Sequence, residues 1–303
     1  MGEQIRIQFR MVNILVFRTD RIGDFLISAI LLKCIKINDP KSHITIIASK
    51  ENYSYIKNFS YVDDVFELKN NILNKINLIF KLKKNNFKGI IIHDNKKRSK
   101  FISLFLKSSN KISIENPDQF SHIELIKIIL KKLNFSYFDE SLDIFSQKKQ
   151  KILEDNDFIQ LHFDEKWIYK EYIKKFINIE PNKNELINLI HEIIKKTKKK
   201  LIITTGKHLP QILKEILPQI SKLNVKLYDN LSFSQLEDIT LKSRILISCH
   251  GAISHIASAN KIKQIDIIDK SYNYRRWTEH FRNYNYLYRD KFDVLAGKIL
   301  EKL

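Results

Sequence analysis

Only six glycines occur in 303 residues, and none of them forms a G-x-G-x-x-G run after a strand. The tight, ligand-hugging turn of an NAD- or FAD-binding unit is therefore absent, and so is the G-x-x-x-x-G-K-[ST] loop of a P-loop kinase. Cysteine is scarcer still. Cys34 and Cys249 stand far apart and in no metal-ligand spacing, which argues against a disulfide scaffold and a zinc site and fits a reducing cytoplasm. No Pro- or Gly/Ser-rich linker interrupts the chain. No apolar run approaches the roughly 18 residues of a spanning helix. The first residues, MGEQIRIQFRMVN, carry charge where a signal peptide would be apolar, and Met11 is a candidate start.

Acid is the other deficit. Fifty-three Lys and Arg oppose thirty-four Asp and Glu, a net charge of +19. Such a surface attracts polyanions: nucleic acid, anionic lipid or a phosphorylated glycolipid. Compositional drift towards Lys, Ile and Asn is the competing explanation. The lysines are spread along the chain and no helix-turn-helix, RNA-recognition or zinc-finger signature accompanies them, so a basic nucleic-acid-binding protein is the lesser alternative.

What is present is a regular alternation of β-rich runs and helical patterns, the mark of parallel sheets with helices on their faces. Strands are expected at 13–17, 43–48, 64–67, 89–93 and 111–114, then at 158–163, 200–205, 225–228, 245–248 and 264–268. Helices are expected at 24–37, 71–83, 97–107, 184–196, 209–220, 233–241 and 253–259. With apolar residues at 44%, each half can bury its own core. The expected organisation is two Rossmann-like, doubly wound α/β domains, 11–150 and 151–303, with the boundary in the polar stretch 146–157. Ligands of such domains bind at the carboxyl ends of the strands.

Four of those strand ends hold residues of chemical interest. After the first strand comes Arg18-Thr-Asp-Arg-Ile-Gly-Asp24 and then a helix. Gly23 allows a tight turn, and Asp24 stands at the start of the helix, as a catalytic acid/base or simply as a first-turn acid. Asp20 is a second acid on the same loop. Phe158-Ile-Gln-Leu-His-Phe163 leads into Asp164-Glu-Lys166-Trp167, and Leu201-Ile-Ile-Thr-Thr-Gly206 ends in small polar residues, with Lys207 behind. Ile247-Ser-Cys-His-Gly251-Ala-Ile-Ser254-His255-Ile-Ala257 turns through a glycine into another helix, whose first amides suit an anion. His250 and His255 lack partners at metal-site spacing. An Arg275-Arg276 pair lies among aromatics from Tyr272 to Tyr288, fit to bind a diphosphate or to pack across the domain.

ILVFRTDRIGDFLISAILLKCIK resembles the N-terminal signature of family 9 (heptosyltransferase-like) glycosyltransferases, and Lys166-Trp167, the Thr-Gly strand end and the segment from Ile247 to Ala257 resemble later elements of that family. The likeness runs from Asn13 to Ile268 and is weak between 69 and 157. It departs at the usual acidic residue, where Cys249-His250 stand, and in the missing Pro-Gly turn before Lys166. The resemblance implies a GT-B-like pair of domains facing a central cleft. It further implies metal-independent, inverting transfer of a sugar, with heptose a candidate, from a nucleotide-diphosphate donor to a hydroxyl of a lipopolysaccharide or other cell-surface glycan. Asp24 would then be the general base. Arg18 and Arg21 would meet acceptor or phosphate, while Lys166, Thr204, Thr205, Gly206, Gly251, Ser254 and His255 would hold the donor. A cytoplasmic enzyme, peripheral on an anionic membrane, is expected. The alternative enzyme is a sugar-nucleotide epimerase, with Asp94, Glu115 and His208 as further acid/base candidates.

Overall fold

The computed structural model describes residues 12–144, 157–168 and 176–303. The chain divides between Leu142 and Asp143 into two compact units. The boundary expected at 146–157 lies, apart from Asp157, outside the described residues, as does Met11.

The first unit alternates strand and helix: β1 (Asn13–Arg18), α1 (Ile22–Asn38), β2 (His43–Ala48), α2 (Lys50–Ile56), β3 (Asp64–Glu67), α3 (Ile72–Leu82), β4 (Asn86–Ile92), α4 (Lys97–Leu104), β5 (Lys107–Ile112) and α5 (His122–Lys132). Every strand pairing is parallel, in the order β3-β2-β1-β4-β5. The chain winds one way from β1 to β3 and then returns to place β4 on the other side of β1. The order therefore reverses between β1 and β4, which is where open α/β sheets bind ligands.

Burial explains the composition of these elements. In α1 the residues Phe25, Leu26, Ile27, Ala29, Ile30, Leu31, Leu32, Cys34 and Ile35 are all buried, because the helix lies between the sheet and its neighbours α2 and α5. Phe25, Tyr55 and Phe59 close that side edge-to-face. On the opposite face of the sheet, Leu15, Phe17, Ile90 and Ile92 form one core with Leu78 and Leu82 of α3 and Ile102 and Leu106 at α4.

The second unit follows the same plan: β6 (Phe158–His162), α6 (Lys183–Thr197), β7 (Lys200–Thr204), α7 (Gln211–Ile220), β8 (Val225–Tyr228), α8 (Phe233–Lys242), β9 (Ser243–Cys249), α9 (Ala252–Ala259), β10 (Lys263–Ile268), α10 (Arg275–Thr278), β11 (Tyr284–Tyr288) and α11 (Phe292–Lys302). Its parallel sheet runs β11-β10-β9-β6-β7-β8, reversing between β6 and β9. Asn182 and Ser232 begin α6 and α8 with reciprocal capping boxes, which explains the sharp starts of those helices. One large core joins β6, β7, β9 and β10 to α6, α7 and α11.

Both sheets are thus Rossmann-like, in line with the α/β expectation. Several elements differ from the sequence-based reading. Strand β5 begins four residues early, on the polar run KSSNKI, and α7 begins two residues late because Pro210 occupies its N-cap. Four further helices (α2, α5, α10 and α11) and the edge strand β11 were not expected.

Candidate active site

At the reversal point of the first sheet, β1 ends on Arg18, which is buried to 4% exposure. Its Nε donates to the carbonyl of Asp24 at 2.8 Å, and its Nη1 donates to the carbonyl of His93 at 2.7 Å and to Asp20 Oδ2 at 3.3 Å. The guanidinium is spent on tying the loop to α1 and to the end of β4. Its position is that of a scaffold cation, and the exposed Arg21 is the one of the expected pair presented outward. Other contacts tighten the same loop. Thr19 Oγ1 donates to Asp94 Oδ2 at 2.5 Å, Lys96 donates to the Thr19 carbonyl at 2.6 Å, and Asn52 Nδ2 donates to the Arg18 carbonyl at 2.9 Å.

This frame separates the two loop acids. Asp20 is ion-paired with both Arg18 and Lys96. Asp24 occupies the first turn of α1, where its Oδ2 accepts the Arg21 amide at 3.2 Å and Arg18 Nη2 lies 4.0 Å from Oδ1. Its side chain is 27% exposed. Of the two, Asp24 is the more exposed and the less closely paired carboxylate. Behind it, the His93 ring is held by Ser28 Oγ at 2.8 Å, and burial, with Arg18 and His122 adding to it, pushes its pKa well below the ordinary value. His93 therefore stays neutral beside Arg18.

At the reversal point of the second sheet, three strand ends converge. The ammonium of Lys166 is paired with Asp164, which is 2% exposed and also faces His162 Nε2 at 3.4 Å. Burial alone would lower the Lys166 pKa, but the Asp164 carboxylate outweighs it and holds the ammonium above its ordinary value. The same contact, with His162, overcomes burial in Asp164 and keeps that carboxylate below its usual range. Lys166 reaches across to α9: a Cβ on Gly251 would stand 3.0 Å from its Nζ. On the other side, a Cβ on Gly206 would stand 2.5 Å from Glu165 Oε2. The glycines at the ends of β7 and β9 are where the side chains of the loop after β6 pass closely, and a larger residue there would have to push the Glu165 carboxylate or the Lys166 ammonium aside. Lys166, Gly206 and Gly251 are accordingly brought together.

The remaining candidates lie deeper. Thr204 is fully buried, its hydroxyl shared between Gln160 Nε2 at 3.1 Å and His162 Nδ1 at 3.0 Å. Thr205 is buried and bonds through its amide to the Tyr228 carbonyl. Ser254 Oγ donates to Asp266 Oδ1 at 2.9 Å and accepts the Gly251 amide at 3.2 Å. His255 is buried among aromatics, with Phe281 at 5.0 Å and Trp277 at 6.4 Å between ring centroids. These four side chains shape the strand ends from within. Lys207 and His208 lie on the exposed loop before α7, which Pro210 separates from Gly206.

Three residues that the sequence reading gave no role complete this end of the sheet. Asp266 on β10, fully buried, accepts from Tyr284 OH at 3.1 Å and pairs with His250 Nδ1 at 2.6 Å. It supplies a carboxylate beside Cys249-His250, one strand away from where the family's usual acid is expected. A lone acid in the isoleucine-rich run KQIDII was the available signal. Arg289 Nη2 donates to the Lys166 carbonyl at 2.8 Å and lies 3.6 Å from Cys249 Sγ. Asp164, the third, holds Lys166. Cys249 itself is raised by burial and stays a thiol. Among the described residues no cluster of three or more His, Cys, Asp or Glu is arranged to hold a metal.

No family model and no curated protein matches the sequence. Solved structures do match the fold. The Escherichia coli heptosyltransferase WaaC with ADP aligns with a TM-score of 0.72 at 10% identity, over 96% of this chain and 100% of that one. A glycosyl transferase family 9 protein from Veillonella parvula aligns with a TM-score of 0.66 at 12% identity, over 96% and 90%. A putative UDP-N-acetylglucosamine 2-epimerase from Listeria monocytogenes aligns less closely, with a TM-score of 0.56 at 8% identity, over 97% and 88%. At these identities the likeness is one of fold, the paired Rossmann-like architecture that GT-B transferases and these epimerases share.

Proposed function

We propose that the chain is a glycosyltransferase of the family 9 kind. In this reading it moves a sugar, with heptose the first candidate, from a nucleotide-diphosphate donor to a hydroxyl of a lipopolysaccharide or related surface glycan. One observation carries the reading: an accessible carboxylate, Asp24, stands at the reversal point of the first sheet, and a charged lysine set against a glycine turn stands at that of the second. The fold likeness to WaaC, which was solved with ADP, supports it.

The proposed step is a single inverting displacement. Asp24 takes the proton of the acceptor hydroxyl as its oxygen bonds to the anomeric carbon. The bond from that carbon to the diphosphate breaks, and its electron pair leaves on the β-phosphate oxygen. Negative charge grows on the departing group, so electrostatic help is worth most there. Lys166 and the backbone amides around Gly206 and at the start of α9 are the groups assigned to that task, with no metal in the step. Arg21 is assigned to an anionic acceptor. The setting proposed is the cytoplasmic face of a membrane; among the described residues no helix is long and apolar enough to cross one.

The test is thermal unfolding with ADP, UDP and GDP, followed by a transfer assay with the nucleotide sugar that stabilises. A nucleotide at a hundred times its Kd should add about 2.7 kcal/mol. Absence of stabilisation by all three would sink the reading. The epimerase fold neighbour makes a second outcome measurable: solvent-hydrogen incorporation into UDP-N-acetylglucosamine without transfer.

A further inference from the structure

Seven of the thirteen large apolar side chains exposed among the described residues fall between positions 72 and 105. On α3 the stripe is Leu73, Ile76 and Phe80, at 71%, 42% and 66% exposure, spaced three and four residues apart. Leu78 and Leu82 of the same helix point the other way, into the core. On α4 the outer side carries Phe101, Leu104 and the adjoining Phe105, and Phe101 and Phe105 meet edge-to-face at 5.2 Å. The two helices pack on one core cluster and so lie on one face of the sheet, and Arg98 Nη1, at the start of α4, donates to Asn70 just before α3 at 3.1 Å. Core packing needs only their inner sides.

The charge is concentrated at the same place. Residues 69–107 contain eleven Lys and Arg and a single acid, Asp94, so these 39 residues hold a net +10 of the chain's +19. Asp94 is engaged inward, by Thr19 and Ser99. Drift in composition would spread the excess over the whole chain. An apolar stripe bordered by lysines suits a surface that is anionic outside and apolar beneath. A second copy of this chain would bring an equally cationic face to meet it.

We propose that the outer face of α3 and α4 is a docking surface for an anionic lipid bilayer, with Leu73, Phe80 and Leu104 entering the headgroup boundary and the surrounding lysines meeting lipid phosphates. The inference goes beyond the transfer reaction and does not depend on it. It also has a geometric corollary. The basic start of α4 is bonded to the Thr19 loop through Lys96 and Arg98, so a docked face leaves the Asp24 end of the sheet beside the bilayer.

The test is flotation of the full chain with phosphatidylcholine vesicles, with and without phosphatidylglycerol, at low and high salt. Two variants separate the contributions. Leu73→Ser/Phe80→Ser/Leu104→Ser removes apolar surface and keeps every charge; Lys83→Gln/Lys84→Gln/Lys100→Gln does the reverse. All six positions are exposed, so both variants should match the wild type in thermal unfolding and in stabilisation by ADP. Each should lose at least about tenfold in binding to anionic vesicles. A control on the second unit, Lys195→Gln/Lys214→Gln/Lys222→Gln, should lose less than about twofold. The proposal is overturned if the serine variant binds as the wild type does or if the control falls as far as the α3–α4 lysine variant. A wild-type dimer that the serine variant abolishes would assign the face to a second copy. Equal competition by duplex DNA at the same salt would assign it to nucleic acid. Failure of ADP to stabilise any form would count against the transferase reading alone.

Discussion

Asp20 and Asp24 share one loop, yet their surroundings assign them different work. Asp20 is held closely by two cations, whereas Asp24 keeps a partly exposed carboxylate that accepts one backbone amide and lies 4.0 Å from Arg18. Asp24→Asn should therefore cut transfer by about 10²–10⁴-fold, measured as kcat, while ADP still stabilises the protein. Asp20→Asn should instead loosen the loop and lower the melting temperature. The Lys166–Asp164 pair behaves differently, because it is buried. Lys166→Met should destabilise by about 3–5 kcal/mol in urea titration, since it strands the carboxylate. Adding Asp164→Leu should recover most of that loss but not nucleotide binding. Asp164 titrates below its ordinary 3.8 in the fold, so its contribution is present above that value and disappears as pH falls through the lower one. A histidine gives a second acid-sensitive term. Burial, with Arg282 adding to it, lowers His280 from 6.5 to about 4. The unfolded chain binds that proton first, so stability complete above pH 6.5 should decline by about 3 kcal/mol on going to pH 4. His280→Phe should flatten this part of the pH–stability curve.

At the scale of elements, one close approach is between a strand and a helix end. A Cβ on Gly89 of β4 would stand 2.5 Å from Leu133 Cδ2, just past α5. Gly89→Ala should cost about 1–3 kcal/mol by overpacking, and Leu133→Ala in the same chain should relieve the clash at the expense of a cavity. Denaturant midpoints of the single and double variants measure both effects. This close approach also bears on what a sequence discloses. Central strands such as β2 and β7 are runs of isoleucine and leucine buried on both faces, and they could be read directly. Of the edge strands, β3 and β8 were read with their bounds, whereas β5 and β11 were not. The KSSNKI of β5 is alternately exposed and is a strand because β4 offers it a ladder, while the tyrosines of β11 equally suit a packed tail. The site shows the same division. Glycine turns and Lys166 were visible as local patterns, but the inward aim of Arg18, Thr204 and Ser254 depends on partners up to 75 residues away.

For the whole molecule, the alternation of elements foretold two parallel sheets, and right-handed crossovers then leave few strand orders to choose from. The lysines read as spread along the chain, and the cluster between 69 and 107 stands out once the fold shows that it borders an apolar face. Each unit has its own sheet and core, so a chain beginning at residue 143 should unfold cooperatively and keep ADP stabilisation within a few-fold of the intact protein's affinity, as calorimetry would show. The strand orders also impose a schedule on synthesis. The hydrogen bonds described above for the Thr19 loop can all be made once residue 99 has been translated. The loop carrying Lys166 has to wait much longer. Its strand β6 pairs with β9, and its backbone is fastened by Arg289, close to the end of the chain. At about 5–20 residues per second, the first unit, ending at Leu142, is complete for roughly 7 to 30 seconds before Arg289 can fasten the lysine loop. During that interval the nascent protein already displays the cationic, apolar face of α3 and α4. If that face docks on a bilayer as proposed, it can do so while the chain is still attached to the ribosome, before the proposed nucleotide site is assembled.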